Sequence, residues 1–258
     1  MNVLDLFSGI GGFSLGLERA GMRTVAFCEV DSFCRAVLAK HWPGVPCYED
    51  VRTLTAGGLA RDGISVDVIC GGFPCQDISL AGAGAGLAGE RSGLWRHYSR
   101  LIGEIRPHYV IVENVAALLS RGLGEVLGDL AALGYDSEWH CIRAARVGLP
   151  HSRDRIWIVA YPEDQRFRHA VDAEGGTDTA GPIMARIPAS GGDALNPQRF
   201  AEEVRAAEFV RAGNGIPCRM DRVFALGNAV VPQIPEMIGR ALLHDWKKAA
   251  TARQEVKP

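Results

Sequence analysis

Four residues in this chain have types and settings suited to joint chemistry: Cys75, Glu113, Arg153 and Arg155. Cys75 lies in Gly71-Gly72-Phe73-Pro74-Cys75-Gln76-Asp77-Ile78-Ser79, directly after the apolar run Ser65 to Cys70. A free thiol ionises near ~8.5, and the thiolate is the reactive form. Cys28, Cys70 and Cys141 sit inside apolar runs and read as inert packing. Cys75 differs, because it follows a proline, stands at a strand end and leads into a glycine-rich stretch, Ala81 to Gly93. Glu113, in Glu113-Asn114-Val115, ends another apolar run. With its pKa raised by burial it could protonate or hydrogen-bond a heterocyclic nitrogen; alone, it reads more simply as a helix N-cap acid. Arg153 and Arg155 flank the start of the run Ile156 to Ala160. Two such guanidinium groups can hold a carbonyl oxygen or a phosphate, although a solvated surface pair is the plainer reading of either alone.

The elements that must position these residues alternate in kind. Asn2 to Phe7 reads as a strand, Ser8 to Gly12 as a glycine turn, and Phe13 to Ala20 as a helix with Phe13, Leu17 and Ala20 on one face. Arg23 to Val30 is a second strand, Ser32 to Trp42 a helix with Phe33, Val37 and Leu38 inward, and Val45 to Tyr48 a short third strand. The strand leading to Cys75 follows, then a helix over Leu94 to Ile105, a strand over Pro107 to Val112, and a helix over Leu118 to Leu133. Glu138 to Ala144 and Arg155 to Ala160 read as two later strands. Recurring strand–turn–helix units predict an α/β fold: a mostly parallel sheet with helices on both faces. In such a sheet ligands sit at the C-terminal strand ends. The first glycine turn lets a ligand approach the backbone, and Glu29 at the end of the second strand is placed to accept from ribose hydroxyls. The dinucleotide pattern is incomplete, with Ser14 at its last position, so a nucleoside-bearing cofactor is indicated but NAD is not specifically favoured.

After Tyr161 the chain becomes rich in Gly, Asp, Arg and Thr, with a short helix read over Ala201 to Arg211. Ile234 to Lys247 is an amphipathic helix, and a polar, frayed tail is read from Lys248. The expected divisions are 1–161, 162–221, 222–247 and 248–258. A net charge of −2 over 258 residues leaves nucleic-acid contact to local basic surface. Seven cysteines without CxxC spacing point to a reducing, cytoplasmic compartment and against a zinc cluster, so no metal is expected. No apolar run approaches the ~20 residues of a membrane span.

The motifs DLFSGIGG, EVD, EDV, GGFPCQDIS, ENV, HSRDRIWIV and GNAVVPQ occur in this order, each at a loop or strand end. Together they resemble the DNA cytosine-5 methyltransferases over Asn2 to roughly Ala160 and Arg222 to about Leu243. The resemblance implies a Rossmann-like fold, S-adenosylmethionine as cofactor and a flipped cytosine in double-stranded DNA as substrate. It makes Cys75 the nucleophile toward C6, Glu113 the partner of N3 and the amino group, Arg155 the contact to the base carbonyl, and Arg153 a support of the pocket. It places Phe7 and Pro74 beside the adenine or close to it, Gly9 and Gly11 under the methionine portion, and Glu29 on the ribose. Asp50 and Val51 surround the adenine, and Asn228 and Val230 close the site. Gln76, Ser79, Arg91 and Ser92 become DNA contacts on a lid over Ala81 to Gly93.

Two positions depart from the family pattern: His151 stands where glutamine is usual, and Ala229 where many relatives carry serine. The span 162–221 is short for a target-recognition region, and six arginines between Arg143 and Arg168 offer phosphate contacts. A monomer is expected, with room for a cognate restriction endonuclease acting separately. An RNA methyltransferase of the same fold and a non-catalytic DNA-binding relative are the alternatives.

Overall fold

The computed structural model describes residues 1–74, 92–147, 154–163 and 228–255. Its strands are β1 (Asn2–Leu6), β2 (Arg23–Cys28), β3 (Cys47–Tyr48), β4 (Val68–Gly71), β5 (Tyr109–Val115), β6 (Tyr135–Arg143) and β7 (Asp154–Pro162). They form one sheet in the order β3-β2-β1-β4-β5-β7-β6. The first five pair in parallel, while β7 runs antiparallel to both β5 and β6. The order reverses between β1 and β4. Connections leave these two strands toward opposite edges of the sheet and open a crevice at their C-terminal ends. The turn after β1 and the segment Gly72 to Pro74 after β4 therefore share one mouth.

The helices are α1 (Gly12–Ala20), α2 (Ser32–His41), α3 (Ala56–Arg61), α4 (Trp95–Ile105), α5 (Leu118–Arg121), α6 (Leu123–Ala132) and α7 (Gln233–Glu255). One sheet face presents Leu4, Leu6, Ile69, Val110, Val112 and Ile158 to Tyr98, Leu101, Ile102, Val126 and Leu130 of α4 and α6. The other presents Val3, Val68, Ile111, Trp157 and Val159 to Phe13, Leu17, Ile238 and Leu242 of α1 and α7. Covered on both sides, β4, β5 and β7 read as near-continuous apolar runs. The second core is closed by the far end of the chain. A Cβ on Gly16 would lie 2.2 Å from the Pro232 carbonyl oxygen, so a residue without a side chain is what lets α7 dock.

The elements expected within the described residues are present, with differences at their edges. The long helix expected over Leu118 to Leu133 is two, parted at Gly122, which caps α5 and opens α6. α3 does not follow from the sequence pattern, since AGGLAR carries two poor helix formers; Thr55 caps it by accepting from the Gly58 N–H at 3.1 Å. On α2 the fully inward positions are Cys34 and Leu38, with Phe33 and Val37 only half-buried. The last helix passes Lys247 and runs to Glu255, beyond the tail boundary read at Lys248. Cys141 is exposed rather than packed, because its strand is the sheet edge. The helix read over Ala201 to Arg211 lies outside the described residues.

Candidate active site

The turn after β1 is built to be approached. Phe7 and Gly9 take positive φ values of 53° and 54°, and the Ser8 hydroxyl donates to the Asp5 carbonyl at 2.6 Å. A non-glycine residue held in the left-handed region costs of order ~1–3 kcal/mol and is found where the surroundings impose it. Here the Phe7 ring stacks on buried Tyr98, centroids 6.4 Å apart. A Cβ on Gly9 would meet nothing within 4 Å, so this glycine faces open crevice. Gly11 differs: its Cβ would lie 2.6 Å from the Trp42 ring, and its N–H donates to the Ser8 carbonyl at 2.9 Å. Its missing side chain thus makes room for Trp42.

Glu29 is fixed at the same mouth. Its Oε2 accepts from the Gly9 N–H at 2.7 Å and its Oε1 from the Asp31 N–H at 2.8 Å. A carboxylate offers about four acceptor sites, so each oxygen keeps capacity for a ligand hydroxyl. Next to it, Val30 is 74% exposed, an apolar side chain presented to solvent beside the cradle. The one signal for Val30 in the sequence is its placement between two acids at a strand end.

The two residues expected around an adenine behave differently from each other. Asp50 is half-buried and ion-paired with Arg52 at 2.7 Å, and Arg52 holds its carboxyl below the usual range. Val51 is buried in the core, and its carbonyl accepts from Arg100 Nη2 at 3.0 Å.

On the other side of the crevice β4 ends at Gly71, in register with Leu6 of β1 and Val112 of β5. Glu113 is buried, and its Oε1 lies 2.9 Å from Nε of Arg155. The register explains the pair. Glu113 opposes Trp157 and Val115 opposes Arg155, so Arg155 is the diagonal neighbour of Glu113 on one sheet face, within reach of a long side chain. A Cβ on Gly72 would lie 2.8 Å from Glu113 Oε2. The carboxylate therefore overhangs the backbone three residues before Cys75. Asn114, buried, donates from Nδ2 to the Phe73 carbonyl at 3.1 Å and accepts from the Val115 N–H at 2.9 Å. It ties the Phe73-Pro74 segment to the end of β5, a task that its place among β-branched residues hinted at but sequence reasoning missed. The Phe73 ring also packs on Trp95, centroids 5.3 Å apart, and the Trp95 indole N–H donates to Asp129 at 2.8 Å.

Cys75, Gln76, Ser79, Arg91 and Arg153 lie outside the described residues, as does the side chain of Ser92, whose backbone starts the 3-10 turn Ser92–Leu94. Val230 reaches the first turn from the C-terminal segment, its carbonyl oxygen 2.4 Å from where a Gly12 Cβ would stand. Asn228 begins that segment and is exposed. The structure thus gathers Phe7, Gly9, Glu29, Pro74, Glu113, Arg155 and Val230 around one crevice. Burial pushes the Cys28 thiol up to about 12 and that of Cys70 well above its ordinary value, in keeping with inert packing.

Residues 1–190 match the family described as C-5 cytosine-specific DNA methylase. Among curated proteins, the Type II methyltransferase M2.BsuMI of Bacillus subtilis is 39% identical over 168 residues, which cover 62% of this chain and 42% of that protein. The Type II methyltransferase M.Eco47II of Escherichia coli is 36% identical over 168 residues, covering 63% and 40% respectively. The matched region is thus less than half of either relative. Among solved structures, the Entamoeba histolytica methyltransferase EhMeth superposes with a TM-score of 0.66 at 12% identity, covering 95% of this chain and 98% of that one, a likeness of fold.

Proposed function

Because the chain belongs to the C-5 cytosine-specific DNA methylase family, we propose that it transfers a methyl group from S-adenosylmethionine to C5 of a cytosine flipped out of duplex DNA. The observation that carries this reading is the buried Glu113 carboxylate, paired with Arg155 at 2.9 Å and overhanging Gly72 at the strand end that leads to Pro74 and Cys75.

The residues present fit the cofactor. Gly9 leaves an uncovered cradle, Glu29 is held by two backbone N–H groups with acceptor capacity to spare, and Phe7 is set by Tyr98 against the same opening. When bound, S-adenosylmethionine supplies an electrophilic methyl group. The chain does the rest. The Cys75 thiolate adds to C6 of the cytosine, which makes C5 nucleophilic. Glu113 in its acid form gives a proton to N3, and its other oxygen accepts from the exocyclic amino group, so the electron pair that the addition pushes into the ring is neutralised. Arg155 holds Glu113 in place and offers its guanidinium to the base carbonyl. After methyl transfer a water takes the C5 proton as the thiolate is expelled from C6, and N3 returns its proton to Glu113, which restores the aromatic ring and frees Cys75.

The base must leave the duplex to reach a crevice at the strand ends, and unstacking costs a few kcal/mol. The segment 162–221 is assigned to target recognition, with Gln76, Ser79, Arg91, Ser92 and Arg153 as contacts to DNA or supports of the pocket. A monomer suffices for this chemistry. The Type II names of the relatives support a restriction endonuclease as a separate partner.

The test uses the full chain, cofactor labelled in the methyl group, and duplex DNA. Cys75→Ala is expected to abolish transfer while cofactor binding survives, and the wild-type protein is expected to form a covalent adduct with DNA containing 5-fluorocytosine. Undiminished transfer by Cys75→Ala would overturn the mechanism.

A further inference from the structure

An acid is buried beneath the cofactor turn, and the proposed chemistry does not use it. Asp5 is fully buried in β1, on the sheet face covered by α1 and α7. Its Oδ2 accepts from the Ser14 hydroxyl of α1 at 2.7 Å. Its Oδ1 has no hydrogen-bond partner among the described residues. The Cys70 thiol, on the residue directly in register across β4, stands beside the carboxyl as a weak donor. A desolvated carboxylate with one satisfied oxygen is costly, and such a group persists where something offsets its cost. The Asp5 carbonyl also receives the Ser8 hydroxyl at 2.6 Å, so this one residue grips the turn 8–12 at both of its feet.

We propose that Asp5 is a positioning residue for the cofactor: held under the glycine turn by Ser14, its carboxylate fixes the turn and supplies the negative field that favours a sulfonium over a neutral thioether. This rests on S-adenosylmethionine being the cofactor. The sulfonium is a permanent cation and the demethylated product is not. In a water-poor interior a fixed negative charge acts over longer distances than in solvent. With Asp5 ionised, the cradle therefore holds the methyl donor more tightly than the spent product, which favours product release after each turnover.

The linkage has a definite sign. Burial, first, raises the Asp5 carboxyl to about 7 against the hydrogen bond from Ser14, and the charge of Glu29 adds to the rise. Cys70 on β4 is the titratable group in direct register, while Cys28, Cys47 and Tyr98 also feel the Asp5 charge. The three thiols and the phenol are pushed up by burial and stay neutral near pH 7. A cationic ligand favours the ionised form, so its binding releases a proton from Asp5. Affinity for the sulfonium then increases as pH climbs toward 7 and levels off above it, while affinity for the thioether lacks this component.

The experiment measures Kd for S-adenosylmethionine and S-adenosylhomocysteine from pH 5.5 to 8.5 by titration calorimetry. It compares the full chain with Asp5→Asn and Ser14→Ala. The wild-type preference for the sulfonium is expected to grow about five- to tenfold over this range, the scale of a typical coupling between sites. Asp5→Asn, which keeps a group able to accept from Ser14, should lose that growth; the cofactor's own amine titrates alike in both proteins. Ser14→Ala removes a hydrogen bond that favours the ionised form, so its plateau should move to higher pH, a shift that a merely structural role would not produce. A wild-type preference that is flat with pH, a pH-dependent preference retained by Asp5→Asn, or an unmoved plateau in Ser14→Ala each overturns the proposal. Failure of the wild-type chain to bind either ligand would instead overturn the cofactor reading.

Discussion

The two sides of the crevice are built by different means. On the β1–β2 side, Glu29 takes its place from backbone: both oxygens receive N–H groups, from Gly9 and Asp31, within a few residues of strand ends. On the β4–β5–β7 side, Glu113 is paired with a side chain from the neighbouring strand, Arg155, two residues along from its own register partner, and overhangs Gly72, just past the end of β4. Backbone donors are fixed once the turn is folded and cost little to reuse. A side-chain ion pair, by contrast, can be remade around a substrate. The difference fits a division of labour in which one side holds a cofactor in a fixed cradle and the other exchanges partners as a base enters.

The same isosteric change at each acid tests that division. Glu113→Gln should lower the rate of methyl transfer by about 10²–10⁴-fold, the usual contribution of a positioned acid or base. It should leave cofactor Kd within about twofold by calorimetry, since Glu113 stands at the end of β5, across β4 from the turn that carries Gly9. Glu29→Gln should do the reverse, because an amide can accept only one of the two N–H groups and sets an N–H against the other. Hydrogen bonds to a charged group are worth about 1.5–3 kcal/mol, so cofactor Kd should increase roughly 10- to 100-fold. The rate at saturating cofactor should stay within a few-fold. Equal losses of affinity and rate in both variants would mean that the two sides act as one unit.

Much of this was legible in the chain. Strand–glycine–helix periodicity gave the parallel sheet, and a ligand mouth at strand ends follows from that topology alone. Glu29 and Glu113 could be placed because each directly ends an apolar run. The pairing of Glu113 with Arg155 could not. It depends on β7 entering antiparallel next to β5, and a sequence period of two fixes the face of a residue without fixing its partner. The separate tasks of Gly9 and Gly11 were equally hidden, since one faces open crevice and the other faces Trp42, a residue from α2's far end. Asn114 and Asp5 read as ordinary motif letters; burial and hydrogen bonds show that Asn114 ties the end of β5 to the segment after β4, and that Asp5 ties β1 to the turn and helix that follow it.

Val30 gives the smallest and sharpest separation between building the fold and serving the site. At 74% exposure it contributes almost nothing to the core, so Val30→Ala should leave thermal stability unchanged within about 1 °C. Yet it sits between Glu29 and Asp31, on the rim of the cradle, where an apolar side chain gains only by covering a ligand. Removing two methyl groups from such a contact forfeits at most about 1–1.5 kcal/mol when the ligand buries them fully, and less when it buries them in part. Cofactor Kd should therefore weaken about three- to fivefold with the transfer rate at saturation unchanged. An unaltered Kd would move the cofactor's apolar face away from the β2 end and onto Phe7 alone, and it would leave Glu29 as the sole contribution of that strand to the cradle.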